Sequence, residues 1–512
     1  MKSKISYLLF VLILLASLIL AGVGCKTVKV PEPSYWPTDG WQSATPESLG
    51  IDSEKLAEGL NEISGNGTHI HSLMIIRNGS IILDSYFYPY DSSTYHDVAS
   101  VTKSIMTTLI AIAADQGKLS LDAPILSFFP DRTINNMDFK KQQITVRHLV
   151  SNSSGFLFDA KDDQATIQAM INSDDWIQAT LDLPVVHEPG THFGYFSPGF
   201  HLLSAILQEA TKMTALEFAD ENLFKPLGID AGNVFWPSDS QGYNYGWGDL
   251  CLYPQDMAKI GFLFLHQGKW GGKQIVSSKW VSQATKKQFS TEPYRGEDYG
   301  YGWWISRPDE QIPYFRADGR GGQRIVVVPT MNLLLVATGG GYDNDDVDPY
   351  IVASIADLKN PLESNPSAVK KLNDIVIKIK QSPEPQPVYP LPEIASVISG
   401  KFFVFEENKL KIKSFIIDFD NEYEAKLKLD GEDGQISAVI GLDGLWRSSI
   451  SGYPVLMRGN WEDNNTFIIE YNGGPDLDYS KLKFNFENNK VNVEVLVPVV
   501  YEGLTVEGEV KE

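Results

Sequence analysis

A serine and a lysine three positions apart, Ser100 and Lys103, open a segment in which Val101, Ile105, Leu109 and Ile112 recur at helical spacing and Gly117 marks a stop. Residues i and i+3 share a helical face, so hydroxyl and amine lie side by side. At a helix N-terminus the serine oxygen meets free backbone N–H groups and the positive end of the helix dipole, which favour developing negative charge. A lysine kept neutral by lost hydration and nearby positive charge can take the serine proton. The same spacing also describes an N-capping serine followed by a surface lysine. The pair needs neighbours before it carries a function.

The surrounding elements can supply them. Ser72 to Arg77 and Ser80 to Tyr86 are β-rich runs joined by Asn78-Gly79, a strong hairpin signal. A second pair, Arg324 to Val328 and Leu333 to Thr338, turns through Pro329 to Asn332. Between the pairs the chain reads as helix and loop, which predicts an α+β layered domain over residues 46–360, its antiparallel sheet assembled from both ends and flanked by helices. Residues 361–393 read as a helix and a stiff linker carrying Pro383, Pro385, Pro387, Pro390 and Pro392. From Ile394 to Glu512, short alternating runs such as Lys409 to Phe419, Tyr423 to Leu429, Thr466 to Tyr471 and Val491 to Val497 predict an all-β sandwich or barrel. No nucleophile-and-base pairing stands out there.

Ordered along residues 46–345, several motifs resemble the serine beta-lactamase and penicillin-binding-protein family. Ala99 to Ser104 with Ala113 to Leu119 is similar to its nucleophile helix, Ile144 to Gly155 to its next landmark, and Asp256 to Gly261 to a further helix. Pro189-Gly190-Thr191 leading to Tyr195-Phe196-Ser197 resembles its second catalytic box. The resemblance implies a beta-lactamase/transpeptidase-like fold and a metal-independent serine hydrolase that needs no cofactor. Ser100 would be the nucleophile, Lys103 its base and Tyr195 a phenol relaying the proton to the leaving group; a half-buried tyrosine with a satisfied hydroxyl is the plainer account of Tyr195. Ser197 would bind substrate or Lys103.

The third box, Lys-x-Gly or His-x-Gly in relatives, is matched by Arg320 and Gly322. Arginine stays protonated, so Arg320 cannot shuttle protons but can hold a carboxylate; pairing with Asp318 is the alternative. The resemblance places the oxyanion hole at the backbone N–H groups of Ser100 and Gln323, each donor worth about 2.7 to 4 kcal/mol in the transition state. The reaction implied is attack on an ester, amide or lactam carbonyl of a small-molecule or peptide substrate through an acyl-enzyme. The other class is a penicillin-recognising or substrate-binding lipoprotein of the same fold without turnover.

The formal net charge of −22 over 512 residues repels phosphate backbones and argues against a nucleic-acid partner. At the start, Lys2 and Lys4 precede the apolar run Ile5 to Leu20, and Ala21, Gly22 and Gly24 lead into Cys25, which reads as an export signal over residues 1–24. Small residues ending at a cysteine resemble a lipoprotein site, with Cys25 lipidated and residues 25–45 a tether, although Gly22 stands where such sites usually carry leucine. An uncleaved signal anchor is the alternative. Either way the bulk would be membrane-anchored and extracytoplasmic, in a periplasm or on a cell surface. Only Cys251 remains after Cys25, so no intramolecular disulfide framework is expected in the mature chain. His69, His71, His187 and His192 lack the companions of a zinc site and read as surface or loop residues, and no Gly-x-Ser-x-Gly elbow is present.

Overall fold

Asn78 and Gly79 adopt left-handed backbone, with φ of 50° and 83°. That geometry suits a two-residue hairpin turn, and β1 (Ile70–Arg77) returns antiparallel as β2 (Ser80–Tyr86). The computed structural model describes residues 30–157, 163–307, 309–431, 434–451, 453–473, 479–487, 489–497 and 503–511. Residues 1–24 and Cys25, where the leader and lipidation site are expected, lie outside them.

Far along the chain, β3 (Phe315–Gly319), β4 (Gln323–Val328) and β5 (Leu333–Gly339) form a meander. β5 also pairs with β1, Leu333 opposite Arg77 and Thr338 opposite Ser72. The order is therefore β2-β1-β5-β4-β3, continued by the short strands Trp304–Ile305, Asp298–Tyr299 and Phe289–Ser290 to make eight. Both ends of the domain close one sheet.

Helices flank it, among them α1 (Ser53–Gly65), α2 (Val101–Asp115), α3 (Val146–Val150), α4 (Ser197–Thr211), α5 (Pro254–Leu265), α6 (Asp348–Ser354) and α7 (Pro366–Lys380). Asp52 caps α1 by accepting from the backbone of Glu54 and Lys55. Leu56 and Leu60 of α1 join Ile75, Leu335, Ile351 and Leu372 in one core. α7, read from sequence as part of a linker region, thus belongs to the layer covering the sheet. α5 runs against Ile325 and Leu334 at Gly261. Every residue of α2 from Val101 to Ala113 is buried. Several of its polar side chains bond to backbone carbonyls: Ser104 Oγ donates to that of Gly302 (2.5 Å) and Thr108 Oγ1 to that of Ser104 (2.7 Å).

Residues 33–45, expected to be a tether, are docked instead. The Tyr35 hydroxyl donates to the Gly79 carbonyl (2.6 Å), Trp41 Nε1 to that of Gln255 (3.2 Å), and Trp36 packs on Phe262, His266 and Trp270. The proline-rich composition suggests a spacer, but three large aromatics supply apolar area worth burying. Among the described residues no helix is long and apolar enough to cross a membrane.

The C-terminal region is a barrel rather than a sandwich. Its strands are β6 (Phe402–Phe405), β7 (Ile412–Asp418), β8 (Glu424–Gly431), β9 (Gly434–Gly441), β10 (Arg447–Ser451), β11 (Tyr453–Trp461), β12 (Thr466–Gly473), β13 (Ser480–Glu487), β14 (Lys490–Val497) and β15 (Thr505–Val510). One edge of β11 takes β10 over residues 453–457 and Gly441 of β9 opposite Arg458. That last pairing closes nine strands into a ring and leaves β10 beside it. Phe403, Phe415, Phe467, Phe484 and Phe486 fill the interior, and Ile398, from the short helix before β6, joins them.

Candidate active site

Ser100 is delivered by a strained step in the backbone. Residues His96–Asp97 pair with Cys251–Leu252, and the Val98 N–H donates to the Leu250 carbonyl (2.8 Å). Asp97 Oδ1 then accepts the Ala99 N–H (2.7 Å), Ala99 turns to φ 47°, and Ser100 begins α2. A left-handed alanine costs roughly 1 to 2 kcal/mol, so this elbow is imposed by its surroundings.

One turn on, Lys103 is 1% exposed. Its Nζ donates to Ser100 Oγ (2.9 Å) and to the Trp247 carbonyl (2.9 Å), 4.9 Å from the centre of the Tyr195 ring and 5.7 Å from that of Phe200. Tyr195 is set by Asn152, itself at φ 53°: the Asn152 carbonyl accepts the Gly194 N–H (2.8 Å) and its Oδ1 accepts that of Phe196 (3.1 Å). These two bonds bracket the tyrosine. Ser197 is the first residue of α4 and is buried.

The third box is arranged differently from expectation. Gly319, the last residue of β3, stands against the elbow: a Cβ there would fall 2.6 Å from the Val98 carbonyl oxygen and 3.1 Å from Ser100 N. Gln323, expected to supply the second oxyanion donor, lies across the ladder from Gly319 on β4, and its buried amide is tied to the backbone of Gly339 on β5. Gly322, at φ 93°, has the Tyr342 ring where a side chain would be and accepts the Tyr342 hydroxyl (3.0 Å). The backbone meeting Ser100 is thus that of Gly319. With Gly319 as the glycine of the third box, Ala317 stands where relatives carry lysine or histidine, and the strand pairing is what places Gly319 there.

Arg320 is exposed at the end of β3, and its charge acts on Asp97. Asp318, named above as an alternative partner for Arg320, binds Arg295 and lies 3.5 Å from Arg316, while Glu297 accepts from Arg316 (2.9 Å). Arg295 in turn covers the Trp304 ring at 4.5 Å. Trp304 and Tyr294 flank Tyr195 with nearly parallel rings, 5.6 and 6.2 Å away. One wall beside Lys103 is therefore aromatic, capped by a charge-balanced set of two arginines and two carboxylates.

Burial pushes the Asp97 carboxyl well above the usual range; Asp249 adds to the rise, while the Ala99 N–H and Arg320 oppose it. Asp97, Asn152, the Trp247 carbonyl and Gly319 carry much of the positioning, and as isolated residue types they gave little warning. His71, expected at the surface or in a loop, is buried in β1 and stacked on Tyr90 at 3.8 Å. His187 and His192 stack on each other at 4.2 Å.

Residues 68–356, more than half of the chain, match the family model described as Beta-lactamase. Protein flp of Staphylococcus aureus (strain MW2) is 25% identical over 164 residues, 30% of this chain and 33% of that protein, so the match spans about a third of its length. An uncharacterised protein of Alkalihalophilus pseudofirmus is 24% identical over 316 residues, 55% of this chain and 86% of the other. Among solved structures, a candidate 6-aminohexanoate-dimer hydrolase from Bacillus anthracis aligns with a TM-score of 0.52 at 18% identity, covering 66% of this chain and 92% of that one, a likeness of fold.

Proposed function

The chain belongs to the Beta-lactamase family, and from that premise we propose that it is a serine hydrolase working through an acyl-enzyme on an ester, amide or lactam carbonyl. The observation that carries this is the bond from the buried Lys103 Nζ to Ser100 Oγ at a helix start. Lys103 takes the proton as Ser100 Oγ attacks the carbonyl carbon, and the oxyanion is met by the Ser100 N–H and a donor from the turn after Gly319. Tyr195, held by Asn152, passes the proton to the leaving group, and water then releases the acyl group.

Incubation with a fluorescent fluorophosphonate and, separately, a fluorescent penicillin tests this, with labelled peptides mapped by mass spectrometry and p-nitrophenyl acetate turnover followed in parallel. Label on Ser100 with turnover supports the hydrolase. Stable penicillin label without turnover moves the reading to a penicillin-recognising receptor, and a folded protein unlabelled by either probe overturns it.

We also propose export and membrane anchoring through lipid on Cys25. The support is residues 1–25 alone: two lysines, an apolar run and small residues ending at cysteine. Palmitate incorporation that persists in Cys25→Ser would sink this part.

A further inference from the structure

The turn facing Ser100 runs Gly319-Arg320-Gly321-Gly322, three glycines in four residues, with φ of 79° and 93° at Gly321 and Gly322. Such a segment has little stiffness of its own, yet a transition-state donor must be held within about 0.5 Å of its place. Its fixity has to come from what it touches. Residues 339–342 hold its second half and the residue after it: Gly341 N–H donates to the Gly321 carbonyl (3.0 Å), Tyr342 OH to that of Gly322 (3.0 Å), and Gly339 N–H to Gln323 Oε1 (3.2 Å), Gln323 being the ladder partner of Gly319.

The other side of residues 339–342 meets the residues leading into β1 and the barrel. Gly340 N–H donates to the His69 carbonyl (2.8 Å), and the Gly340 carbonyl accepts the Tyr479 N–H (3.3 Å). The Tyr479 ring stacks on His69 at 4.7 Å and 17°. Asn472 Nδ2 lies 3.1 Å from His71 Nε2, both residues 6% exposed, and these two polar atoms also face the open side of Gly340. The barrel end is itself braced, with Tyr479 hydrogen-bonded to Glu470 and Glu470 bound by Arg458 at 2.7 Å.

We propose that the barrel edge formed by Asn472 and Tyr479 is a positioning element of the acyl-transfer site. It clamps residues 339–342 and, through them, the glycine turn whose first residue meets Ser100. The barrel is thereby part of the catalytic apparatus without touching substrate. This rests on Ser100 being the nucleophile.

The test uses the full chain, p-nitrophenyl acetate turnover and the rate of fluorophosphonate labelling at Ser100. Tyr479→Ala is expected to lower kcat about tenfold or more with KM within about twofold, since small displacements at such sites cost up to roughly a hundredfold. Tyr479→Phe, which keeps the stack, is expected to restore kcat, and thermal midpoints should match the wild type. Wild-type kcat in Tyr479→Ala, or a Phe variant as slow as the Ala variant, overturns the proposal. Should Tyr479→Ala not fold, Asn472→Ala is read by the same criteria. Failure of the hydrolase reading is separate: it shows as full turnover in Ser100→Ala or no label on wild-type Ser100.

Discussion

The sheet domain and the barrel treat polar side chains in opposite ways. The first buries Lys103, Lys141, Arg77 and Arg324 at 2% exposure or less, and it holds all eight histidines. In the barrel, ion pairs such as Lys426 with Asp420 lie on the surface, and the interior is phenylalanine and branched aliphatics. A barrel strand follows the alternation that one buried face demands. The sheet domain departs from the ordinary rules of burial at several points: Arg77 and Lys141 are satisfied by backbone carbonyls and Arg324 by Asp348, while the start of α2 combines three departures in one place. Chemistry sits where those departures cluster, because a buried amine, a left-handed alanine and a desolvated carboxyl persist only when neighbours hold them.

The largest expected contrast between the regions is catalytic. Ser100→Ala and Lys103→Ala should each lower p-nitrophenyl acetate turnover by about 10³-fold or more. A surface barrel variant, Lys426→Ala, should leave it within about twofold. A comparable loss in Lys426→Ala would erase the distinction.

Acid should act on the sheet domain first. Burial pushes His71 well down, His96 to about 3 and His266 to about 4. Held neutral in the fold, these rings gain protons on unfolding. Their contribution to stability is whole above about pH 6.5 and is lost as pH falls toward 4, by about 1.4 kcal/mol per unit for each ring. Asp97 runs the other way, its raised value costing stability as pH climbs from the ordinary carboxylate range. Burial also lowers His69, His148 and His201 and raises Asp84 and Asp256; six lowered rings outweigh three raised carboxyls, so thermal midpoints should fall between pH 7 and 5, with hydrogen exchange rising in β1 before the barrel strands. A flat midpoint, or barrel exchange leading, would contradict this.

A smaller contrast concerns stability alone. Arg324 donates twice to Asp348, at 2.6 and 3.0 Å, from a buried position on β4. Arg324→Ala should cost about 2 to 3 kcal/mol in urea unfolding, less than a wholly buried pair because Asp348 is 46% exposed. Lys426→Ala, breaking an exposed pair, should cost less than about 0.5 kcal/mol. Equal costs would mean the two regions do not differ in how they use charge.

Local signals in the chain were readable where local physics decides. Asn78-Gly79 fixes a hairpin whatever surrounds it, and Ser100 with Lys103 needs only helical spacing to share a face. The fold class, the pairing of both ends of the sheet and an all-β C-terminal region follow from such signals. What stayed hidden depends on partners distant in sequence. Lys103 leans on a carbonyl 144 residues away, and nothing near Trp247 announces that its backbone will be used. Gly319 and Gly322 look alike in a glycine-rich run until β3 and β4 are paired. Residues 33–45 read as spacer because prolines mask three aromatics with a surface to cover.

The closure of β1 by β5 also sets a clock. Ser100 and Lys103 leave the ribosome early, but Gly319 and the strand that seals the sheet at Gly339 come more than 200 residues later. At about 5 to 20 residues per second, roughly 10 to 50 seconds separate Ser100 from the backbone that stands against it. A nascent or truncated chain ending before β5 therefore carries the serine without a finished site.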